Sequence, residues 1–319
     1  MQTKLSLQVV VFFVLAISVV GCTNHNNSVQ KSLSANPLDS IGEVEVVATG
    51  FISTEGPVWH QASQSMIFTD IPGDTIYQLN VNSGEVTKLR TPSNTSNGLA
   101  LDNEGFLLAA EQTTRSITRM NLTTGEVSPF ITTVDYQGQP RAFNSPNDMA
   151  VHRNGNVYFT DPPFGLRDRD SELNFNGAFV RTPDGNIKLF KRLETGQNPN
   201  GIILNPDQSI LYMGISDDES APILAYDVDA DGSLSNEREF AQGQNNDGMA
   251  IDTQGNLYVA NRTGVRVWSA SGEYWGMISL PDDIRTTNVA FGGDNKDTLY
   301  ITNRSADLYA VKLNVVGYQ

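Results

Sequence analysis

Six oxygen-bearing side chains recur at one place in a repeated pattern: Glu55, Asn97, Asn147, Asn200, Asp247 and Asn288. Each opens a short motif. Asn97-Gly-Leu-Ala-Leu-Asp102 returns as Asn147-Asp-Met-Ala-Val-His152, Asn200-Gly-Ile-Ile-Leu-Asn205 and Asp247-Gly-Met-Ala-Ile-Asp252. Glu55-Gly-Pro-Val-Trp-His60 is a fifth copy and Asn288-Val-Ala-Phe-Gly-Gly293 a degenerate sixth. If the copies converge in space, their amide and carboxylate oxygens form a hard ligand set. No Cys is available and no His occupies this register, so the set points to Ca²⁺, secondarily to Mg²⁺ or Mn²⁺, and away from zinc or copper. Glu55 and Asp247 are the only ionisable members, and their two negative charges match one divalent ion. Asn or Asp before Gly is also a common turn former. A Glu is not, and six copies in one register favour a shared site.

The repeats themselves say what must position these side chains. Their first residues are separated by 42, 50, 53, 47 and 41 positions. After each comes a turn and a second apolar run, such as Met66-Ile-Phe-Thr-Asp70, Val157-Tyr-Phe-Thr-Asp161 or Leu299-Tyr-Ile-Thr-Asn303. These runs are short, rich in β-branched and aromatic residues, and bounded by Gly, Asn and Asp, which predicts strands joined by hairpins. Third and fourth strands follow in several copies, as in Ile76-Tyr-Gln-Leu79 and Val86-Thr-Lys-Leu89. Four strands per repeat at a period of forty to fifty predicts an all-β chain: a six-bladed β-propeller of four-stranded antiparallel blades over residues 43–319. Each site residue precedes the strand expected to be innermost, so all six should meet at one mouth of the central channel.

Composition narrows the function. The formal net charge of −15 excludes a nucleic-acid binder held by a basic surface, while 39% hydrophobic and 18% charged residues describe a folded domain. At the N-terminus, Lys4 precedes an apolar stretch from Leu5 to Val20, which reads as a signal peptide over residues 1–21. The only cysteine, Cys22, follows Val19-Val20-Gly21 and resembles a bacterial lipobox, so it is the expected lipidation site; no disulfide can form within the chain. Residues 22–42 are polar and read as a lipidated Cys and flexible tether. The resemblance to bacterial lipoproteins, with Thr23 in place of Asp after the Cys, implies the periplasmic face of the outer membrane, with the lipid anchor as the only membrane contact.

Glu55-Gly-Pro-Val-Trp, Asn144-Ser-Pro-Asn-Asp148, Phe159-Thr-Asp-Pro-Pro-Phe-Gly165, Pro199-Asn-Gly-Ile202, Asp247-Gly-Met-Ala-Ile-Asp252 and Asn288-Val-Ala-Phe-Gly-Gly293 together resemble the SMP-30/gluconolactonase/luciferin-regenerating-enzyme-like family, and within it bacterial gluconolactonases. The resemblance implies hydrolysis of a small-molecule sugar lactone such as glucono-1,5-lactone. It implies one divalent ion, Ca²⁺ first and Mg²⁺, Mn²⁺ or Zn²⁺ as alternatives, on Glu55, Asn147, Asn200 and Asp247. Asp247 would also be the general base or acid, and Asn97 and Asn288 pocket residues. Animal members carry a sugar-contacting Arg two places before the third-blade Asn; here Ser145 stands there. Another lactone, an ester or a phosphotriester at the same metal site, or a noncatalytic sugar- or protein-binding propeller, are the alternative readings.

Other signals carry less. Asp227-Val-Asp-Ala-Asp-Gly232 begins like an EF-hand loop, but Arg238 stands where that loop needs a bidentate Glu, so a hairpin turn is expected. His60 and His152 fall an odd number of places after the site register, on the opposite strand face. No Gly-x-Ser-x-Gly elbow or His-Glu-x-x-His helix occurs. Asn121-Leu-Thr123, Asn261-Arg-Thr263 and Asn303-Arg-Ser305 have the form of glycosylation triplets without a use in a bacterial lipoprotein. Phe164, Tyr136 and Arg167–Asp170 are expected on a long loop able to cover the pocket.

Overall fold

The second strand of each repeat reads as an unbroken apolar run because both its faces are covered. In the computed structural model, which describes residues 36–194, 196–217 and 221–318, the strands Ser65–Asp70, Leu107–Glu111 and Val157–Asp161 are buried along their whole length. Each repeat is one antiparallel sheet. Blade one runs Thr54–His60, Ser65–Asp70, Thr75–Asn80 and Val86–Arg90 from the axis outward; blade two runs Ser96–Leu101, Leu107–Glu111, Ser116–Met120 and Val127–Ile131. Blade three is Met149–Val151, Val157–Asp161, Asn176–Arg181 and Ile187–Leu193, and blade four is Asn198–Leu204, Ile210–Ser216, Ala221–Val228 and Leu234–Gly243. Blade five is Met249–Asp252, Leu257–Asn261, Gly264–Trp268 and Tyr274–Ile278. Blade six takes Thr286–Gly292, Thr298–Asn303 and Asp307–Lys312 from the end of the chain and Val44–Thr49 from its beginning. The result is the six-bladed β-propeller that the repeat spacing predicts.

A twisted sheet buries its apolar face only against another sheet, and here each blade does so against both neighbours. The core is accordingly a ring of inter-blade clusters. Ile67, Ile76, Leu99 and Leu107 join blades one and two; Phe143, Phe159 and Phe179 pack with Leu108 and Ile117 between blades two and three. Trp59, Met66 and Phe68 meet Ala290, Tyr300 and Leu308 across the seam where blade one adjoins blade six.

Three features lie outside the sequence-based expectation. The strand Val44–Thr49 closes the ring by pairing with Asp307–Lys312. A fifth short strand, Gly317–Tyr318, adds to blade five beside Ile251 and Asp252. Residues 36–42, expected as part of the tether, are folded onto the propeller: Asn36 caps a 3-10 turn at Pro37–Ser40, Leu38 packs on the cluster between blades five and six, and Gly42 N donates to Lys312 O at 2.8 Å. The apolar pair Pro37-Leu38 makes this docking favourable within an otherwise polar stretch. Cys22, the signal segment and most of the tether lie outside the described residues.

Candidate active site

The first strands surround the axis, and their starts bring the repeated residues together. Glu55, Asn97, Asn147, Asn200 and Asp247 line one cavity of about 780 Å³ at one mouth of the channel. Two of them, Asn147 and Asp247, precede their strands by two positions, as the sequence suggests. The others lie inside longer strands, where the pairing register slips between Glu55 and Val58, Ser96 and Leu99, and Pro199 and Ile202. Such bulges twist the strand and re-aim one side chain, here into the channel.

Close packing of the ring depends on the glycine that follows four of its five residues, Asn147 alone being followed by Asp148. A Cβ on Gly98 would collide with the carbonyl oxygen of Asn147, and one on Gly201 with that of Asp247. In the space so left, Gly98 N donates to Asn147 O at 2.8 Å. Second strands hold the ring from outside. Asn147 N donates to Thr160 O and Asp247 N to Ala260 O, both at 2.9 Å, while Thr69 Oγ1 donates to Asn97 O at 3.0 Å. The segment entering blade three is fixed by buried Asp161, whose oxygens accept from Asn144 N at 2.7 Å and Ser145 N at 2.8 Å.

The five ring residues are between 3% and 7% exposed, so water compensates little of their polarity. Burial raises the Glu55 carboxyl well above its usual range, and the nearby Asp247 charge raises it further. Asp247 is pushed up to about 6 by burial, against the opposing pull of Arg285 and Arg304 and a hydrogen bond from Asn200. Asp148, directed toward the other end of the channel, rises to about 7 by burial. Arg285 is the nearest cation to the ring, at 3.8 Å from Asp247 Oδ2, too far for a hydrogen bond. The side-chain amides of Asn97 and Asn147 make no hydrogen bond to any described residue. Two close buried carboxylates that resist ionising together, beside amides with unused oxygens, make an all-oxygen donor set suited to a divalent cation. Among the described residues no three His, Cys, Asp or Glu side chains gather as a metal-binding group; the set here is two carboxylates completed by amides.

The remaining expected residues fall in different places. Asn288 does not line this cavity: it lies beneath the ring, hydrogen-bonds Glu55 and Asp148, and lines a second cavity of about 520 Å³ toward the opposite mouth. Ser145 is 1% exposed and occupied by the backbone, donating to Pro162 O at 2.7 Å and accepting from Gly165 N at 2.8 Å. It therefore anchors the loop whose Phe164 reaches the cavity and does not face the cavity itself. Arg169 ties the same loop to blade two through Gln112 O and Thr113 O. Tyr136 is on a separate hairpin, Val134–Tyr136 with Gln139–Arg141, packed on Phe175. His60 pairs with Ser63 Oγ at 2.7 Å and lines the opposite cavity, while His152 is buried in a turn. The EF-hand-like segment forms the turn between Ala221–Val228 and Leu234–Gly243.

Sequence reasoning missed Arg262, Arg285 and Arg304, all of which line the upper cavity. The signal was register: Arg262 and Arg304 follow Asn261 and Asn303, the last residues of the second strands in blades five and six.

Comparison with known proteins agrees with this architecture. Residues 53–305 match the model of the SMP-30/Gluconolactonase/LRE-like region. The chain is 33% identical over 292 residues to a gluconolactonase of Zymomonas mobilis, covering 83% of this chain and 80% of that protein. It is 26% identical over 274 residues to a pentonolactonase of Haloferax volcanii, covering 82% and 85%. A solved gluconolactonase structure from Xanthomonas campestris superposes with a TM-score of 0.78 at 29% identity, over 88% of this chain and 93% of that one. With the family model running from blade one into blade six and the relatives matched over most of their length, the chain belongs to the SMP-30/gluconolactonase/LRE-like family.

Proposed function

We propose that the protein is a lactonase that opens a sugar lactone such as glucono-1,5-lactone to its aldonic acid, using a divalent cation, Ca²⁺ by preference. The observation that carries this reading is the ring of buried oxygens flooring the upper cavity, in a chain similar to a gluconolactonase and a pentonolactonase. Glu55, Asn147, Asn200 and Asp247 would hold the cation. Bound there, it would polarise the lactone carbonyl as a Lewis acid.

The chain's own groups supply the rest. Asp247, pushed up to about 6 by burial in the cation-free site, is mostly ionised at neutral pH; a bound cation would lower its basicity and leave it a weak base for the attacking water. Water oxygen adds to the carbonyl carbon as its proton passes to Asp247. Collapse then breaks the bond to the ring oxygen, which takes that proton back and leaves as the hydroxyl of the open acid. Asn97 and Asn147 offer unpartnered amides to substrate hydroxyls, and Phe164 gives one wall an apolar surface that helps exclude water. The strained, activated ester of an aldonolactone asks little more of its catalyst. Cys22, as the lipidation site, would tether this propeller to the bacterial cell envelope at the periplasmic face of the outer membrane.

The deciding experiment is hydrolysis of glucono-1,5-lactone followed with a pH indicator, after chelation and with Ca²⁺, Mg²⁺, Mn²⁺ or Zn²⁺ added back. Turnover above the spontaneous rate should return with the cation. In Asp247→Ala and Glu55→Ala it should drop at least about a hundredfold, with the β-sheet circular dichroism retained. Near-normal turnover in either variant refutes the site. A protein that Ca²⁺ stabilises but that hydrolyses no lactone would use the ion only to brace its blades.

A further inference from the structure

In a chain of formal net charge −15, three arginines stand on one wall of the upper cavity: Arg262, Arg285 and Arg304. Arg262 and Arg304 hold equivalent places in adjacent blades. The same place in blades one, two and four carries Ile71, Gln112 and Asp217, so the cationic wall belongs to blades five and six alone. Arg285 precedes the inner strand of blade six, and its carbonyl accepts from Arg304 N at 2.9 Å, which holds their backbones side by side. The edge over blades one to three, with Ile71, Pro72, Gln112 and Phe164, is uncharged.

The protein itself leaves two of these guanidiniums, those of Arg285 and Arg304, largely unused. The Arg285 side chain makes no hydrogen bond to any described residue; its Nε is buried without a partner and its contact with Asp247 is 3.8 Å long. The Arg304 side chain makes none either. A guanidinium carries five donors in a planar fork that matches carboxylate and phosphate oxygens. Gathering like charges around unused donors is costly unless a ligand meets them. Once a cation neutralises Glu55 and Asp247, Asp217 of blade four is, among the described residues, the one other carboxylate lining the cavity against three guanidiniums, and the uncharged edge over blades one to three gives a ligand one orientation.

We propose that Arg262, Arg285 and Arg304 bind an anionic substituent of the substrate, so that the preferred lactone carries a carboxylate or phosphate at the end remote from its reacting carbonyl. The word lactone rests on the function proposed above; the anion site does not. Arg285, closest to Asp247, positions that substituent so that the carbonyl falls over the ring of oxygens.

Calorimetric titration of the Ca²⁺-supplemented protein with three unreactive sugar acids tests the site without turnover. Gluconate has one anionic group, glucarate has a second carboxylate and 6-phosphogluconate has a phosphate. At least one of the doubly anionic acids should bind about tenfold or more tighter than gluconate, and the stronger of the two identifies the substituent. That advantage should shrink with added salt and vanish in Arg304→Gln, an exposed position where folding is not at risk, while Arg304→Lys should keep part of it. The matching kcat/KM comparison, neutral glucono-1,5-lactone against its phosphorylated and carboxylated counterparts, should show the same preference, reduced more for the anionic lactones in the variant. Equal binding of all three acids overturns the proposal. So does an equal loss for all three in Arg304→Gln and Arg285→Gln, which would assign the arginines to the hydroxyls or the reacting carbonyl. If no lactone is hydrolysed but the Arg304-dependent discrimination in binding remains, the anion site stands and the lactonase reading falls.

Discussion

Glu55 and Asp247 compete for ionisation, and that competition sets how protons and a cation share the ring. Both carboxyls are raised by burial, Asp247 to about 6 and Glu55 well above its usual range. A cation binds the ionised forms, so protons compete with it as pH falls. Between pH 7 and pH 5 the apparent Kd for Ca²⁺ should rise about tenfold or more, because Asp247 alone passes from mostly ionised to mostly protonated. Calorimetric titration across that range checks the direction, and activity lost at pH 5 should be recovered in part by excess cation. A Kd independent of pH would remove Glu55 and Asp247 from the ligand set.

At the scale of the element, the narrow point is where one first strand touches the next. Gly201 has no room for a methyl group beside the carbonyl of Asp247, whereas Gly125, in an outer hairpin turn, has open space around it. Gly201→Ala should therefore displace Asp247 and lower stability by about 1–3 kcal/mol, with turnover falling further than stability explains. Gly125→Ala is the informative control, since its φ of 75° costs backbone strain but leaves the ring untouched. Thermal melts and kinetics on the two variants separate strain from site geometry.

These same elements show what a sequence discloses. The second strands were legible because burial on both faces leaves continuous apolar runs, and the ring was legible because its residues open every repeat. Asn288 ended beneath the ring because it holds the place of Asp148, one residue past the ring position: Gly248 N donates to Thr287 O as Gly98 N does to Asn147 O, so the degenerate sixth copy begins at Thr287. Ser145 was placed by motif alignment, which carries position but not what its hydroxyl will bond. The arginines were missed because their meaning is collective: Asn261-Arg262 and Asn303-Arg304 become one wall only when blades five and six stand side by side.

For the whole molecule, buried acids link stability to pH in an unusual direction. Asp148 and Asp161 rise to about 7 and Asp247 to about 6, all through burial, so the folded chain keeps protons that the unfolded chain releases above about pH 4. Folded-state pKa values above the unfolded ones mean that this contribution is fully present at low pH and is lost as pH rises toward 7. The formal charge of −15 adds self-repulsion of the same sign. In chelator, Tm should therefore fall between pH 5 and pH 8, by about 2–4 °C per kcal/mol lost. Saturating Ca²⁺ should flatten the fall by favouring ionised Glu55 and Asp247. A chelated protein more stable at pH 8 than at pH 5 would contradict the burial of these acids.

The pairing of Val44–Thr49 with Asp307–Lys312 makes assembly a matter of timing. The segment synthesised first waits for the one synthesised last, so through nearly the whole of translation blade six consists of its outer strand alone and the ring is an open arc. Five blades can zip sequentially from local hairpins, but the final latch joins the most distant parts of the chain and is the slow, entropy-limited event. Until it shuts, the apolar flanks of blades one and six are exposed together, which makes the half-made protein a natural client for a holding chaperone. A circular permutant with its ends moved into an outer loop of another blade would turn that latch into an ordinary hairpin.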